Sequence, residues 1–221
     1  MGVLMTDSSD ESDDLVRRAI SGDPTALGGV FDRYRDRLWQ MVRVRLDRRV
    51  QGRVDPSDVL QEAFVEIVRR IGDYRPEPEW SFFLWVRQIV GQKLIDLHRQ
   101  HLGAQMRDAS LEVSLHAGGL PQATSASLAA QLLGQWTSAS RALERAEAQL
   151  AVQEALDALD PVDREILTLR HFEMLSNSEC ARVLGLSKGA ASKRYVRALV
   201  RVKDVLSSFP GFEENPQPES Q

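Results

Sequence analysis

Residues 175–206, LSNSECARVLGLSKGAASKRYVRALVRVKDVL, constrain the fold more tightly than any other stretch of the chain. Ser176 and Glu179 form an S-x-x-E capping box, which predicts a helix starting at Ser176. Gly185 suits the left-handed conformation that ends such a helix. Ser187 is a good N-cap for the next one. A short helix, a turn of about three or four residues and a longer helix make the helix-turn-helix plan.

The second helix decides what the unit is for. At about 100° per residue, Ala191, Tyr195, Ala198 and Val202 share one face. Gly189, Ser192, Lys193, Val196 and Arg197 fall opposite, with Lys188, Arg194, Arg201 and Lys203 on the flanks. From 188 to 203 there are six basic residues and no acid. A charge run alone usually marks a solvated helix face. Combined with the cap, the Gly185 turn and the small Ala181, it points instead to a helix that enters the major groove of DNA. Basic and hydroxyl side chains there meet base edges and phosphates.

A net charge of −4 runs against that reading until its distribution is considered. Asp7, Asp10, Glu11, Asp13 and Asp14 put −5 near the start, and Glu213, Glu214 and Glu219 put −3 near the end, so residues 15–209 carry +4. The local field is what meets phosphate. The acidic stretches 1–14 and 208–221 are expected to be disordered tails. At 221 residues the chain allows one or two domains. No run approaches the ~20 apolar residues of a membrane helix. The N-terminus lacks the basic start and apolar stretch of a signal peptide. A cytoplasmic location without membrane contact is the expectation. The single cysteine, Cys180, excludes an intramolecular disulfide and a Cys-rich zinc site, and reads as a small core residue.

Residues 15–107 read as helical. A short helix ends near Ser21-Gly22, and Asp23-Pro24 caps a long one carrying Leu27, Val30, Phe31, Tyr34, Leu38, Met41, Val42 and Leu46. Asp55-Pro56 caps the next, whose core stripe is Leu60, Phe64, Ile67 and Ile71. Asp58, Glu62, Val65 and Arg69 lie opposite, with Gln61 beside them. An apolar residue inside a charged face is often incidental, and is also the mark of a helix-docking surface. Residues 73–79, with Pro76 and Pro78, must be a loop. The following helix has Phe83, Val86, Val90, Leu94 and Leu97 as its core stripe and Trp85, Gln88, Gln92, Asp96 and Arg99 on another face. Phe82 and Phe83 are expected in the core. Trp80 and Trp85 fit either a core role or stacking on unpaired bases.

Residues 108–139, rich in Ala, Ser, Gly and Gln, read as a flexible linker with a short helix near 128–133. Helix returns over residues 140–207, with Asp160-Pro161 capping the segment before the helix-turn-helix. The expected fold is therefore all-α, with two small helical domains on either side of the linker. There is no phosphate-binding glycine loop. His98 and His101 sit at i, i+3 without a Cys or carboxylate set. No enzymatic activity, metal or cofactor is expected.

Four stretches, taken in order, resemble the bacterial RNA polymerase sigma factors of the extracytoplasmic-function (ECF) type. DLVRRAISGDPTALGGVFDRY resembles the start of their first domain. DPSDVLQEAFVEIVRRIGDYRPE resembles the helix that binds the β′ clamp coiled coil. FFLWVRQIVGQKLIDLHRQ resembles the helix for minus-ten recognition and promoter melting. ALDALDPVDREILTLRHFEMLSNSECARVLGLSKGAASKRYVRAL resembles the domain that reads the minus-thirty-five element and touches the β flap. The KGAASKRYVRAL ending is also similar to planctomycete-type sequences. The linker is longer than is usual for the group, Gln92 stands where Asn is common, and Ala190-Ala191-Ser192 replaces the frequent Thr-Val-Lys, so base-level specificity is not carried over.

The resemblance implies initiation and not chemistry, with 15–107 as region 2 and 140–207 as region 4. Asp58, Gln61, Glu62, Val65 and Arg69 would dock on core polymerase. Lys188, Ser192, Lys193, Arg194 and Arg197 would hold the upstream element, and Gln88, Gln92, Asp96 and Arg99 would face the downstream one. Trp80 and the loop 74–81 would shape a pocket for a flipped base. Expected partners are core polymerase, promoter DNA and, as a further candidate, an anti-sigma factor. The alternative is a dimeric helix-turn-helix regulator without polymerase docking. A helical protein-binding adaptor is a third class, against which the basic helix argues.

Overall fold

The computed structural model describes residues 7–47, 49–77, 80–102, 120–134 and 142–208. Among them are nine α-helices and one short 3-10 turn. The first bundle holds α1 (Asp7–Ile20), α2 (Pro24–Arg45), α3 (Pro56–Arg70) and α4 (Phe82–Leu102). A linker helix α5 (Ser125–Leu132) follows, then α6 (Ala142–Asp157), α7 (Pro161–His171), α8 (Asn177–Leu184) and α9 (Lys188–Leu206).

Local chemistry sets the helix starts. The Asp23 carboxylate accepts from the Thr25 and Ala26 amides at 2.9 and 3.1 Å. Asp55 accepts from the Ser57 amide at 2.7 Å, and Asp160 from the Val162 amide at 2.9 Å. Each acid is followed by Pro at the first helical position, where no amide is needed. The capping box on α8 is complete: Ser176 Oγ accepts from the Glu179 amide and Glu179 Oε2 from the Ser176 amide. Gly185 ends α8 in the left-handed region at φ 64°.

Two expectations need correction. Helix α1 begins at Asp7, so residues 7–14 are helical and not part of a disordered tail. The acids lie toward the N-terminal end of α1 and Arg17 and Arg18 in its last turn, the arrangement a helix dipole favours. The linker is also not loose where it is described. Leu120, Pro121 and Ala123 are buried, and Thr124 caps α5 by accepting from the Ser127 amide. Gly91 on α4 lets Leu120 approach: a Cβ at this glycine would lie 1.8 Å from Leu120 Cδ2. Residues 103–119, 135–141, with Trp136, and 209–221 lie outside the described residues.

The two bundles share their cores. Phe31, Phe83 and Val90 of the first bundle belong to one apolar cluster with Ile166, Leu169, Leu175, Cys180, Ala181 and Ala191 of the second. A further cluster joins Val44 of α2 to Leu128 and Ala129 of α5 and to Val152, Leu156, Ala198 and Val202. Area removed from water on both sides of the junction supplies the main cohesive force.

Candidate nucleic-acid interface

On α3 Leu60 and Ile67 of the expected stripe are buried, Phe64 and Ile71 are only partly so, and Val59 and Ala63 complete the buried face; Asp58, Gln61, Glu62, Val65 and Arg69 are exposed. Val68 extends the apolar part of this face; Val65 and Val68 are 50% and 48% exposed. Arg69 has a loose pair with Glu66 at 3.8 Å. Exposed pairs of this kind hold little energy, so the side chain can be recruited by another protein surface.

On α4 the ridge Gln88, Gln92, Asp96 and Arg99 is exposed along its length. Gln92 Nε2 donates to Asp96 Oδ1 at 3.1 Å, and Arg99 sits 3.9 Å from the same oxygen. Phe82 and Phe83 are core residues, as expected, at 5% and 2% exposure. Trp85 is half-buried in an aromatic cluster, 5.4 Å from both the Tyr74 and Phe82 ring centroids. Trp80 is different: it edges an open groove of about 750 Å³ bordered by Arg17, Tyr34, Tyr74 and Pro76. Its amide donates to the Glu77 carbonyl at 3.1 Å, which closes the loop back on itself.

Helix α9 buries Ala191, Ala198 and Val202, with Tyr195 half-buried, as its periodicity predicts. Lys188, Ser192 and Lys193 are exposed. Arg194 and Arg197 are not unopposed. Both bind the buried Asp163 of α7, at 2.5 and 3.0 Å, and Arg194 also reaches Asp160 at 3.3 Å. Residues 188–203 of α9 lack acids, but the fold brings two from α7 and its cap. Asp163 thus holds α9 on α7 and orients two candidate DNA contacts.

Four further residues form a cluster without any local sequence signal. Arg45, Arg87, Glu165 and Glu173 are all buried where the two bundles meet. Arg45 donates to Glu165 and Glu173, each at 2.5 Å, and to the Pro121 carbonyl at 2.9 Å. Arg87 donates from Nε to Glu173 Oε2. Burial alone would raise the Glu173 carboxyl, but Arg45 and Arg87 outweigh it and hold it below the ordinary carboxylate range. Nearby, Arg37 donates to the Glu173 and Met174 carbonyls at 3.0 and 3.2 Å and lies 3.6 Å over the Phe83 ring. Met174 takes a positive φ of 55°, which turns the chain from α7 into α8 beneath Arg37.

His98 is a structural residue: its buried Nε2 accepts from the Asp47 amide at 3.1 Å. Among the described residues no helix is long and apolar enough to cross a membrane.

Residues 30–102 match the family model for Sigma-70 region 2, and residues 149–202 match Sigma-70, region 4. The ECF RNA polymerase sigma factor SigD of Mycobacterium tuberculosis is 29% identical over 200 residues, covering 90% of this chain and 86% of SigD. The ECF RNA polymerase sigma factor BldN of Streptomyces coelicolor is 27% identical over 192 residues; these cover 86% of this chain but 64% of BldN. The RNA polymerase sigma-H factor of Pseudomonas aeruginosa is 28% identical over 196 residues, covering 88% of this chain and 92% of that protein. Among solved structures, CnrH in complex with the cytosolic domain of CnrY is similar, with a TM-score of 0.52, 25% identity, and coverage of 90% of this chain and 98% of CnrH.

Proposed function

We propose that this chain, which belongs to the sigma-70 family and to its ECF type, binds core RNA polymerase, brings it to specific promoters and assists their melting. The observation that carries this is the presence on one chain of both matched regions, each with its own exposed recognition surface. The α3 face with Val65 and Val68 at its centre takes the β′ clamp helices, and region 4 takes the β flap. Lys188, Ser192 and Lys193, with Arg194 and Arg197 supported by Asp163, hold the upstream element in the major groove. Gln88, Gln92, Asp96 and Arg99 face the downstream element. The groove beside Trp80 and Tyr74 receives an extruded base, with stacking on an aromatic ring offsetting part of the unstacking cost.

Catalysis belongs to polymerase, and the chain acts where polymerase acts, in the cytoplasm. An anti-sigma factor is a fitting regulator, in keeping with the complex in which CnrH is solved. The test is to mix the purified chain with core polymerase and measure promoter-dependent run-off transcription. Failure of both polymerase binding and run-off would overturn this function and favour a dimeric regulator.

A further inference from the structure

We infer that the loop between α2 and α3, with the C-terminal end of α4, is a further DNA-binding surface. Arg49 and Arg53, beside Arg99 and His101, grip phosphates of the spacer duplex, upstream of the base extruded into the groove at Trp80. This rests on the promoter reading proposed above and adds a contact that belongs to neither element.

Residues 46–54 hold three arginines and one acid, Asp47. The loop is exposed in part yet firmly anchored. Val50 is buried, and Gln51 Nε2 donates to the Leu46 carbonyl at 2.8 Å. The Val50, Gln51, Arg53 and Val54 amides all donate to carbonyls within the loop. His98 Nε2 accepts from the Asp47 amide, which pins the loop to α4. Ordering a surface loop costs backbone entropy. Here the ordering holds two exposed arginines, Arg49 and Arg53, at set positions.

The charge of this corner is positive and little opposed. Asp47 is engaged inside the loop, accepting from the Arg49 amide at 2.8 Å and from its guanidinium at 3.0 and 2.9 Å. The Arg49 side chain is still 59% exposed, and exposed pairs of this kind hold little energy. Arg53 has no ion-pair partner among the described residues. On α4, Arg99 is loosely paired with Asp96 and His101 is exposed. Burial holds the His98 imidazole below its ordinary range; Asp47 opposes this, while Arg49 and His101 add to it, so both lie beside His98. Arg99 and His101 also answer the dipole at the end of α4. Arg49 and Arg53 stand outside any helix and have no such use.

Position along α4 selects the partner. Trp80 and Phe82 put the groove for the extruded base at the N-terminal end of this helix. From Phe82 to His101 the axis rises about 28 Å, the length of about 8 base pairs. DNA upstream of the opened segment remains double-stranded, because α9 reads the far element in a major groove. A single strand would call for rings on which bases stack, and residues 46–54 contain no aromatic side chain. Polymerase has its own face on α3, centred on Val65 and Val68, whereas the described part of this loop exposes no large apolar side chain. Fixed guanidinium groups suit the regular phosphates of a duplex, where they position the protein without reading sequence.

The experiment uses holoenzyme reconstituted from the full chain on a promoter that the wild-type chain transcribes in run-off. Arg49→Ala with Arg53→Ala removes two phosphate contacts. The slope of log affinity against log salt should fall by about 1.8, so a rise from about 50 to about 200 mM salt should weaken the variant roughly tenfold less than the wild type. Arg49→Lys with Arg53→Lys should keep the wild-type slope, since lysine serves a phosphate as a point charge. Neutral methylphosphonates then replace the spacer phosphates about 8 base pairs upstream of the extruded base. They should weaken binding by the wild type and leave the alanine variant unaffected. An unchanged salt slope overturns the proposal. So does a methylphosphonate loss equal in the two proteins, or a loss of core polymerase affinity in the variant. These results leave the sigma function standing; absence of run-off by the wild-type chain would remove that function and the spacer contact with it.

Discussion

Arg45 and Glu165 form a buried two-point pair, Nη2 to Oε1 at 2.5 Å and Nη1 to Oε2 at 3.3 Å, although 120 positions separate them. The pair joins the end of α2 to the middle of α7. Through Glu173 it extends to Arg87 on α4, so one salt cluster ties α4, which carries one reading surface, to α7, on which Asp163 holds α9 and the other.

Removing one member of this cluster leaves opposite charges buried without compensation. Glu173→Gln should cost about 3–5 kcal/mol at neutral pH, measured as a shift in urea midpoint. Its pH dependence has a definite sign. The folded-state pKa of Glu173 is depressed, so its stabilisation is fully present above the unfolded value of about 4.3 and is lost as pH falls through the folded value. Wild-type stability should drop with acidification below about pH 4.3, and the Glu173→Gln variant should show a shallower drop. An identical acid profile for the two would refute the assignment.

The α3 surface has a simple test. Val65→Asp places a charge at the centre of the exposed apolar patch. Affinity for core polymerase should fall at least tenfold, while folding stability stays within about 0.5 kcal/mol because Val65 is half exposed on the outer face of α3. Biolayer interferometry with immobilised core enzyme and a thermal melt read the two quantities separately.

On α9, Lys193→Ala tests a phosphate contact without disturbing the Asp163 pairs. The slope of log affinity against log salt for an upstream-element duplex should fall by about 0.9. Lys193→Ala with Arg197→Ala should abolish duplex binding and leave core polymerase binding intact. Asp163→Asn should both loosen α9 and weaken DNA binding, because Arg194 and Arg197 lose the acceptor that orients them. Fluorescence anisotropy across a salt series reads all three.

Burial pushes the Cys180 thiol up to about 12. At pH 8 the native protein should therefore be inert to iodoacetamide, and reaction should require unfolding. Rapid labelling of the folded chain, followed by mass spectrometry, would show that α8 does not sit as described.

The sequence by itself determined the features that depend on near neighbours. The starts of α2, α3, α7, α8 and α9 follow from Asp23, Asp55, Asp160, Ser176 and Ser187, because each cap closes a hydrogen bond within three residues. The exposed faces of α3, α4 and α9 follow from periodicity, which depends only on helix geometry. The first turns of α1 escaped that reading, since an acidic run resembles a disordered tail and its agreement with the helix dipole becomes visible only once the helix exists.

Tertiary structure alone decided which charges meet. With 28 Lys and Arg and 32 Asp and Glu in the chain, no spacing distinguishes Arg45, Arg87, Glu165 and Glu173 from the rest. Their pairing depends on how two bundles pack, and packing is set by the summed burial of Leu169, Leu175, Cys180 and their neighbours. The same holds for Asp163 beneath Arg194 and Arg197. Helical periodicity places a residue on a face, but only the arrangement of helices determines what that face meets.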